Sequence, residues 1–196
     1  MTDRAFSHYR PSVALALRMA RCQNGESLLS LSRRQPRLVV CLRHLGCTFC
    51  RESLAELARQ RSDIESAGAG IVLVHPTADD RAAALFREYG LGDLPRLADS
   101  NRVLYRALGL EKGSWFQLLG PRVIWRAGVA TARGHRLGRR DGDIRQMPGV
   151  FLVQDGRIVE AFRHRNVADR PDYSAIASRL RQMPHVGADR ASGQAP

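Results

Sequence analysis

The chain has 196 residues, 44% of them hydrophobic, which suits one α/β domain with a sizeable core better than two small ones. No apolar run approaches the ~18 residues of a membrane-spanning helix, and residues 13–17 run straight into Arg18 and Arg21 with no cleavage pattern of a secretory leader. A cytoplasmic protein with no membrane partner is the expectation. The net charge of +12 is almost wholly arginine, Lys112 being the only lysine; even the densest group, Arg133, Arg136, Arg139 and Arg140, lacks interleaved aromatics, so no specific nucleic-acid partner is expected.

In chain order, residues 1–25 read as a poorly patterned N-terminal extension, with a short strand at 27–31 and a stop at Pro36. Residues 38–42 (Leu-Val-Val-Cys-Leu) are continuously apolar, the mark of a strand buried on both faces. A helix is predicted over 51–66, ended by Gly68 and Gly70, and residues 71–74 form a second buried strand. Asp79 or Asp80 is predicted to cap a helix through Tyr89, stopped by Gly90. A short strand follows at 94–98, and Ser100 is predicted to cap a helix to Leu108. Residues 110–147 fit no regular step and read as an insertion with a helix or two. In it, Trp115, Phe116 and Trp125 are expected to pack rather than meet substrate. Residues 149–154 and 157–163 flank Asp155-Gly156, a strong hairpin signal. A last helix spans 173–181 and residues 183–196 form a flexible tail.

This order, a βαβ start and a closing antiparallel hairpin, is that of a thioredoxin-like α/β fold: a central mixed sheet flanked by helices over residues 26–182, with the insertion before the hairpin.

The chemistry concentrates at Cys47 and Cys50. Cys47 follows a buried strand and precedes a helix, so its sulfur crowns a helix N-terminus at the sheet's edge, where unpaired amides and the helix dipole favour a thiolate. Arg43, His44 and Arg51 are near in sequence and add positive potential. A lowered pKa at Cys47 would make it the nucleophile, and Cys50, within the first turn, would resolve the oxidised product. Two other readings of the pair are half a zinc site, for which Cys22 and Cys41 lack the spacing and only His44 is close, and two inert packed thiols. No metal or cofactor is expected. Cys41 reads as a small core residue, and Cys22 has no assigned role. A trans bond is the default for X–Pro, but the likeness to thioredoxin folds, which place a cis-proline here facing the active-site cysteines, implies that Pro148 is cis after Met147 and abuts Cys47, with Gly149 allowing close backbone approach.

The segment from Leu42 to Glu52, Leu-Arg-His-Leu-Gly-Cys-Thr-Phe-Cys-Arg-Glu, resembles the active-site signature of peroxiredoxin-like proteins of the alkyl-hydroperoxide-reductase/thiol-specific-antioxidant group, relatives of selenoprotein L. The resemblance continues through residues 105–110 and 142–151, with Pro148-Gly149-Val150-Phe151, to His164 and residues 169–173. It implies a reversible Cys47–Cys50 disulfide. Four positions depart from the typical patterns. His44 and Val40 stand where a peroxidatic site has Thr and Pro, Pro148 stands where it has Arg, and Cys41 stands where a thioredoxin has a buried Asp. Arg43 or an insertion arginine is the candidate to replace the missing guanidinium, and His44 or Glu52 the missing proton acceptor.

Three functions compete. The first is a peroxidase acting through a Cys47 sulfenic acid. The second is a dithiol–disulfide reductase of thioredoxin type. The third is a non-catalytic, redox-regulated binding module using the Arg- and Trp-bearing insertion. The expected partners are a hydroperoxide or disulfide substrate and an electron donor of thioredoxin or glutathione type; the chain could also pair as a homodimer.

Overall fold

The computed structural model describes residues 11–132 and 145–182. The Arg133–Arg140 group and the expected tail lie outside the described residues.

Five strands build one mixed sheet: β1 (Arg37–Cys41), β2 (Gly70–His75), β3 (Arg96–Ala98), β4 (Gly149–Gln154) and β5 (Arg157–Arg163), in the order β3-β2-β1-β4-β5. β1 runs parallel to β2 and β2 to β3, whereas β4 is antiparallel to both β1 and β5. Side chains alternate across a strand, so each apolar run feeds two cores. Leu38, Val40, Ile71, Leu73, Val150 and Leu152 face α3 (Thr48–Ser66), α4 (Asp79–Glu88) and α8 (Tyr173–Ser178). Val39, Cys41, Val72, Val74, Phe151 and Val153 face α1 (Val13–Met19), α2 (Leu28–Arg34) and α5 (Val103–Ala107). The result is the expected thioredoxin-like sandwich. Among the described residues no helix is long and apolar enough to cross a membrane.

The hairpin turn follows its sequence closely. Asp155 and Gly156 take φ of 49° and 72°, the left-handed pair that a two-residue turn requires. The Asp155 and Gly156 amides donate to the Ser32 carbonyl at 3.0 Å and the Ser32 hydroxyl at 3.1 Å, tying the hairpin to α2.

Several expectations are corrected. Residues 27–31 are not a strand. Ser27 caps α2 by accepting the Ser30 amide at 3.1 Å, and Leu28 and Leu31, three apart, share its buried face. α4 starts after Ala78, because the Asp79 carboxylate is turned to the Arg96 guanidinium at 2.9 and 2.8 Å instead of capping. Asp99, not Ser100, serves α5: its carboxylate accepts the amides of Val103 (2.9 Å) and Tyr105 (3.0 Å), and Arg102 turns into the helix with a φ of 54°. The insertion carries α6 (Trp115–Leu119) and α7 (Pro121–Ala132). Among its described side chains, Leu118 and Val123 pack against Met147, Val167, Ala168 and Phe49. Trp115 and Trp125 remain 58% and 66% exposed, against the packing expected of them; the side chain of Phe116 lies outside the described residues. Finally, no peptide bond among the described residues is cis. Met147–Pro148 keeps the intrinsically favoured trans form, with the Met147 carbonyl held by the buried Gln146 amide at 3.1 Å.

Candidate active site

The site forms where β1 ends. Leu42 extends the strand by one bond, its amide donating to the Val74 carbonyl at 2.8 Å. The buried Tyr105 hydroxyl then clamps the exit, donating to the carbonyls of Leu42 (2.5 Å) and Val74 (3.2 Å). The chain turns through residues 43–46, and the Cys47 amide closes that turn on the His44 carbonyl at 3.2 Å. Cys47 has extended backbone geometry (φ −80°, ψ 126°) and is the N-cap of α3. The helix starts at Thr48, earlier than the residue 51 expected, which draws Cys50 fully into the first turn.

Both sulfurs are more enclosed than an edge position implies: Cys47 is 4% and Cys50 5% exposed. Both residues line a pocket of about 20 Å³, together with Arg43, Phe49, Pro148, His164, Val167 and Tyr173. That is room for roughly one water-sized group. Such a pocket admits the head of a small substrate and excludes bulk water.

The two cysteines are free thiols, unbonded to each other, and they interact. The Cys50 thiol donates to the Cys47 sulfur, and that bond is the largest influence holding the Cys47 pKa down to about 6. Burial opposes it; the Arg43 charge and the first-turn amides of Cys50 and Phe49 assist it. The Arg43 guanidinium approaches the sulfur at 3.6 Å. The same thiol–thiol bond, joined by burial, pushes Cys50 well above the ordinary thiol range. Burial pushes Cys22 up to about 11 and Cys41 well up. Of the four cysteines, Cys47 alone is biased toward thiolate. A hydrogen-bonded pair of one thiolate and one thiol is suited to nucleophilic attack followed by disulfide formation.

The other anticipated residues are placed as follows. Pro148 lines the pocket. Gly149 is buried opposite Cys41 in the β1–β4 register, where an added Cβ would lie 2.7 Å from Leu110 Cδ2. His44 is buried at 4% exposure and contributes its carbonyl to the turn. Arg51 is directed elsewhere: its guanidinium meets Glu88 at 3.4 Å and it does not line the pocket. Glu52, considered as a proton acceptor, is buried in an ion pair with Arg170, which also bonds Glu56 at 3.1 Å. Among the described residues no cluster of three or more His, Cys, Asp or Glu side chains could hold a metal ion.

Two participants, Tyr105 and His164, lie in the stretches that carry the resemblance but have no role assigned from sequence. Tyr105 looks like one more core aromatic until its hydroxyl is traced. His164 directly follows β5 and reaches the pocket beside Pro148, a proximity that only strand pairing creates.

A profile of the family described as AhpC/TSA antioxidant enzyme matches residues 56–167. The match begins beyond Cys50, so it bears on the domain rather than on the cysteine pair. Among curated relatives, a prostamide/prostaglandin F synthase from Salmo salar is 30% identical over 141 residues, 68% of each chain. One of the same name from Danio rerio is 27% identical over 159 residues, 77% of each chain. Among solved structures, peroxiredoxin Q from Xanthomonas campestris superposes with a TM-score of 0.60 at 14% identity, covering 86% of this chain and 93% of the other. Peroxidoxin BcpB from Mycobacterium tuberculosis gives 0.58 at 14% identity, covering 84% and 92%. The two structural likenesses speak to fold alone.

Proposed function

Since the chain belongs to the AhpC/TSA antioxidant-enzyme family and is thus a peroxiredoxin-like thiol oxidoreductase, we propose that it reduces hydroperoxides with Cys47 as nucleophile and Cys50 as resolving thiol. The Cys47 thiolate attacks the terminal oxygen of R–O–O–H. The O–O bond breaks, the sulfur is oxidised to sulfenic acid, and the departing alkoxide takes a proton to leave as R–OH. The Cys50 sulfur then attacks the sulfenic sulfur, releasing water and forming the disulfide. One thioredoxin-type dithiol, or two molecules of a glutathione-type thiol, returns two electrons and leaves as a disulfide. Arg43, one turn ahead of the sulfur, takes the part of the cation that holds the thiolate and the leaving oxygen. Arg43, Pro148, His44 and Gly149 serve as support, and Arg51, paired with Glu88, is left without a part in the chemistry.

The observation that carries this reading is the asymmetric placement of the pair: Cys47 caps α3 with the Arg43 guanidinium 3.6 Å from its sulfur, while Cys50, in the first turn, donates to that sulfur, which lowers the Cys47 pKa and raises that of Cys50. The same asymmetry suits a dithiol–disulfide reductase, the second reading.

One experiment separates the two. Reduced protein is mixed with an alkyl hydroperoxide, hydrogen peroxide and a small disulfide, each at equal low concentration. Rates are followed by thiol loss and the products by peptide mass mapping. The peroxidase reading expects hydroperoxide to react orders of magnitude faster than free cysteine does, leaving a Cys47–Cys50 disulfide. Faster consumption of the disulfide selects the reductase. Reaction no faster than free cysteine with every substrate removes both.

A further inference from the structure

The pocket's polar groups are nearly all spoken for. Cys50 donates to Cys47, Arg43 approaches the same sulfur at 3.6 Å, and the hydroxyls of Ser53 and Tyr173 bond each other. His164 is the exception. Its ring lies between the backbone carbonyls of Pro148 and Asp169, edge-on to Phe162 at a centroid distance of 5.1 Å, while its Nδ1 is buried without a partner. A neutral imidazole carries one nitrogen without a hydrogen, and Nδ1, buried with no hydrogen-bond partner in a residue that lines the pocket, is the candidate for that free lone pair. Burial, the dominant influence, holds the His164 pKa down to about 4, so the ring is neutral at ordinary pH.

A hydroperoxide carries one O–H donor and two acceptor oxygens. The donor side of the site faces it with a guanidinium; a buried acceptor is the complementary need, because an unsatisfied O–H in an apolar pocket is costly. We propose that Nδ1 of His164 accepts the hydroperoxide O–H and thereby aims the terminal oxygen at Cys47. This rests on the peroxidase reading. The hydrogen stays on its oxygen throughout: that oxygen leaves the O–O bond and becomes the sulfenic S–O–H, so the same hydrogen bond holds substrate and product, and no proton passes to the histidine. His164 would be a substrate-selecting residue, favouring hydroperoxides over electrophiles that carry no donor.

The test compares His164→Phe and His164→Gln with the unaltered protein. Two reagents are used at pH 7: tert-butyl hydroperoxide, and methyl methanethiosulfonate, a thiol reagent with no O–H or N–H. Loss of the acceptor is expected to slow the hydroperoxide reaction about 10- to 100-fold, the usual effect of misplacing a reacting group. The Gln carbonyl restores part of the rate, and thiosulfonate reactivity stays unchanged in both variants. Equal hydroperoxide rates in His164→Phe and unaltered protein overturn the proposal, as does a parallel fall with both reagents, which would mean the ring acts on Cys47 itself. A second measurement avoids altering the ring. In the Cys47→Ser protein, the ¹⁵N resonance of His164 Nδ1 should shift on saturation with tert-butyl hydroperoxide, and an unmoved resonance overturns the proposal. Failure of the unaltered protein to react with hydroperoxide would instead overturn the peroxidase reading, so the two failures are distinguishable.

Discussion

Arg43 Nη1 stands 3.6 Å from Cys47 Sγ, across the turn that joins β1 to α3. The guanidinium is delivered by the four-residue spacing and the closing bond from the Cys47 amide to the His44 carbonyl, so it belongs to the turn as much as to the sulfur. A cation this close favours the thiolate. Replacing Arg43 with Met is expected to raise the Cys47 midpoint by about one pKa unit, slowing alkylation about tenfold at pH values below the midpoint. Alkylation rates of Arg43→Met from pH 4.5 to 9, read peptide by peptide, check this.

Cys50 is expected to have two separable roles, donor and resolver. Cys50→Ser keeps an O–H that can donate to Cys47, so the low midpoint survives, but no disulfide can form. Hydroperoxide should then leave a stable sulfenic acid on Cys47, captured by dimedone. Cys50→Ala removes the donor as well, and the Cys47 midpoint should rise by about a unit or more. Equal midpoints in the two variants would contradict the thiol–thiol bond as the leading cause.

Tyr105 links the site to the core. Its hydroxyl satisfies the Leu42 carbonyl at 2.5 Å from a fully buried position. Tyr105→Phe strands that carbonyl at a cost of about 1–3 kcal/mol, measurable by urea unfolding. Because Leu42 leads directly into Arg43, the same variant should also loosen the turn and lower Cys47 reactivity.

Acid should weaken the fold before the carboxylates titrate. Burial depresses His164 to about 4, and it lowers His75, which is fully buried, as well. Between about pH 4 and the ordinary histidine value of 6.5 the unfolded chain binds protons that the folded chain does not, so stability falls as pH falls through that window. Below it, the carboxylates of Asp79 and Asp93, held low chiefly by Arg96 and Arg61, continue the loss. Calorimetric melting temperatures should decline from pH 6.5 to 4, and His164→Gln should flatten part of that slope.

Much of this architecture is written locally. Residues 38–42 and 71–74 are apolar without interruption because both sheet faces are covered, and Asp155-Gly156 can satisfy its backbone only as a tight turn. Cys47 is legible for the same reason, standing between a strand and a helix. What stays hidden depends on partners far along the chain. Asp79 forgoes capping because Arg96 lies beside it, Asp99 displaces Ser100 because α5 folds back over it, and Arg51 turns to Glu88 on the neighbouring helix. α1 and α2 escape notice because each is two turns long, with a buried face of two or three residues. His164 joins the site through the pairing of β5 with β4, a contact that no residue near Cys47 announces.

The ionisation of Cys47 carries the whole account, and its most direct measurement is the rate of alkylation at each cysteine against pH, resolved by mass spectrometry, in reduced protein with and without one equivalent of hydroperoxide. The account predicts that Cys47 reacts with a midpoint near pH 6, that Cys22, Cys41 and Cys50 stay unreactive through neutral pH, and that hydroperoxide abolishes the Cys47 signal. A Cys47 midpoint at or above the ordinary thiol value of 8.5, or a signal untouched by hydroperoxide, would contradict it.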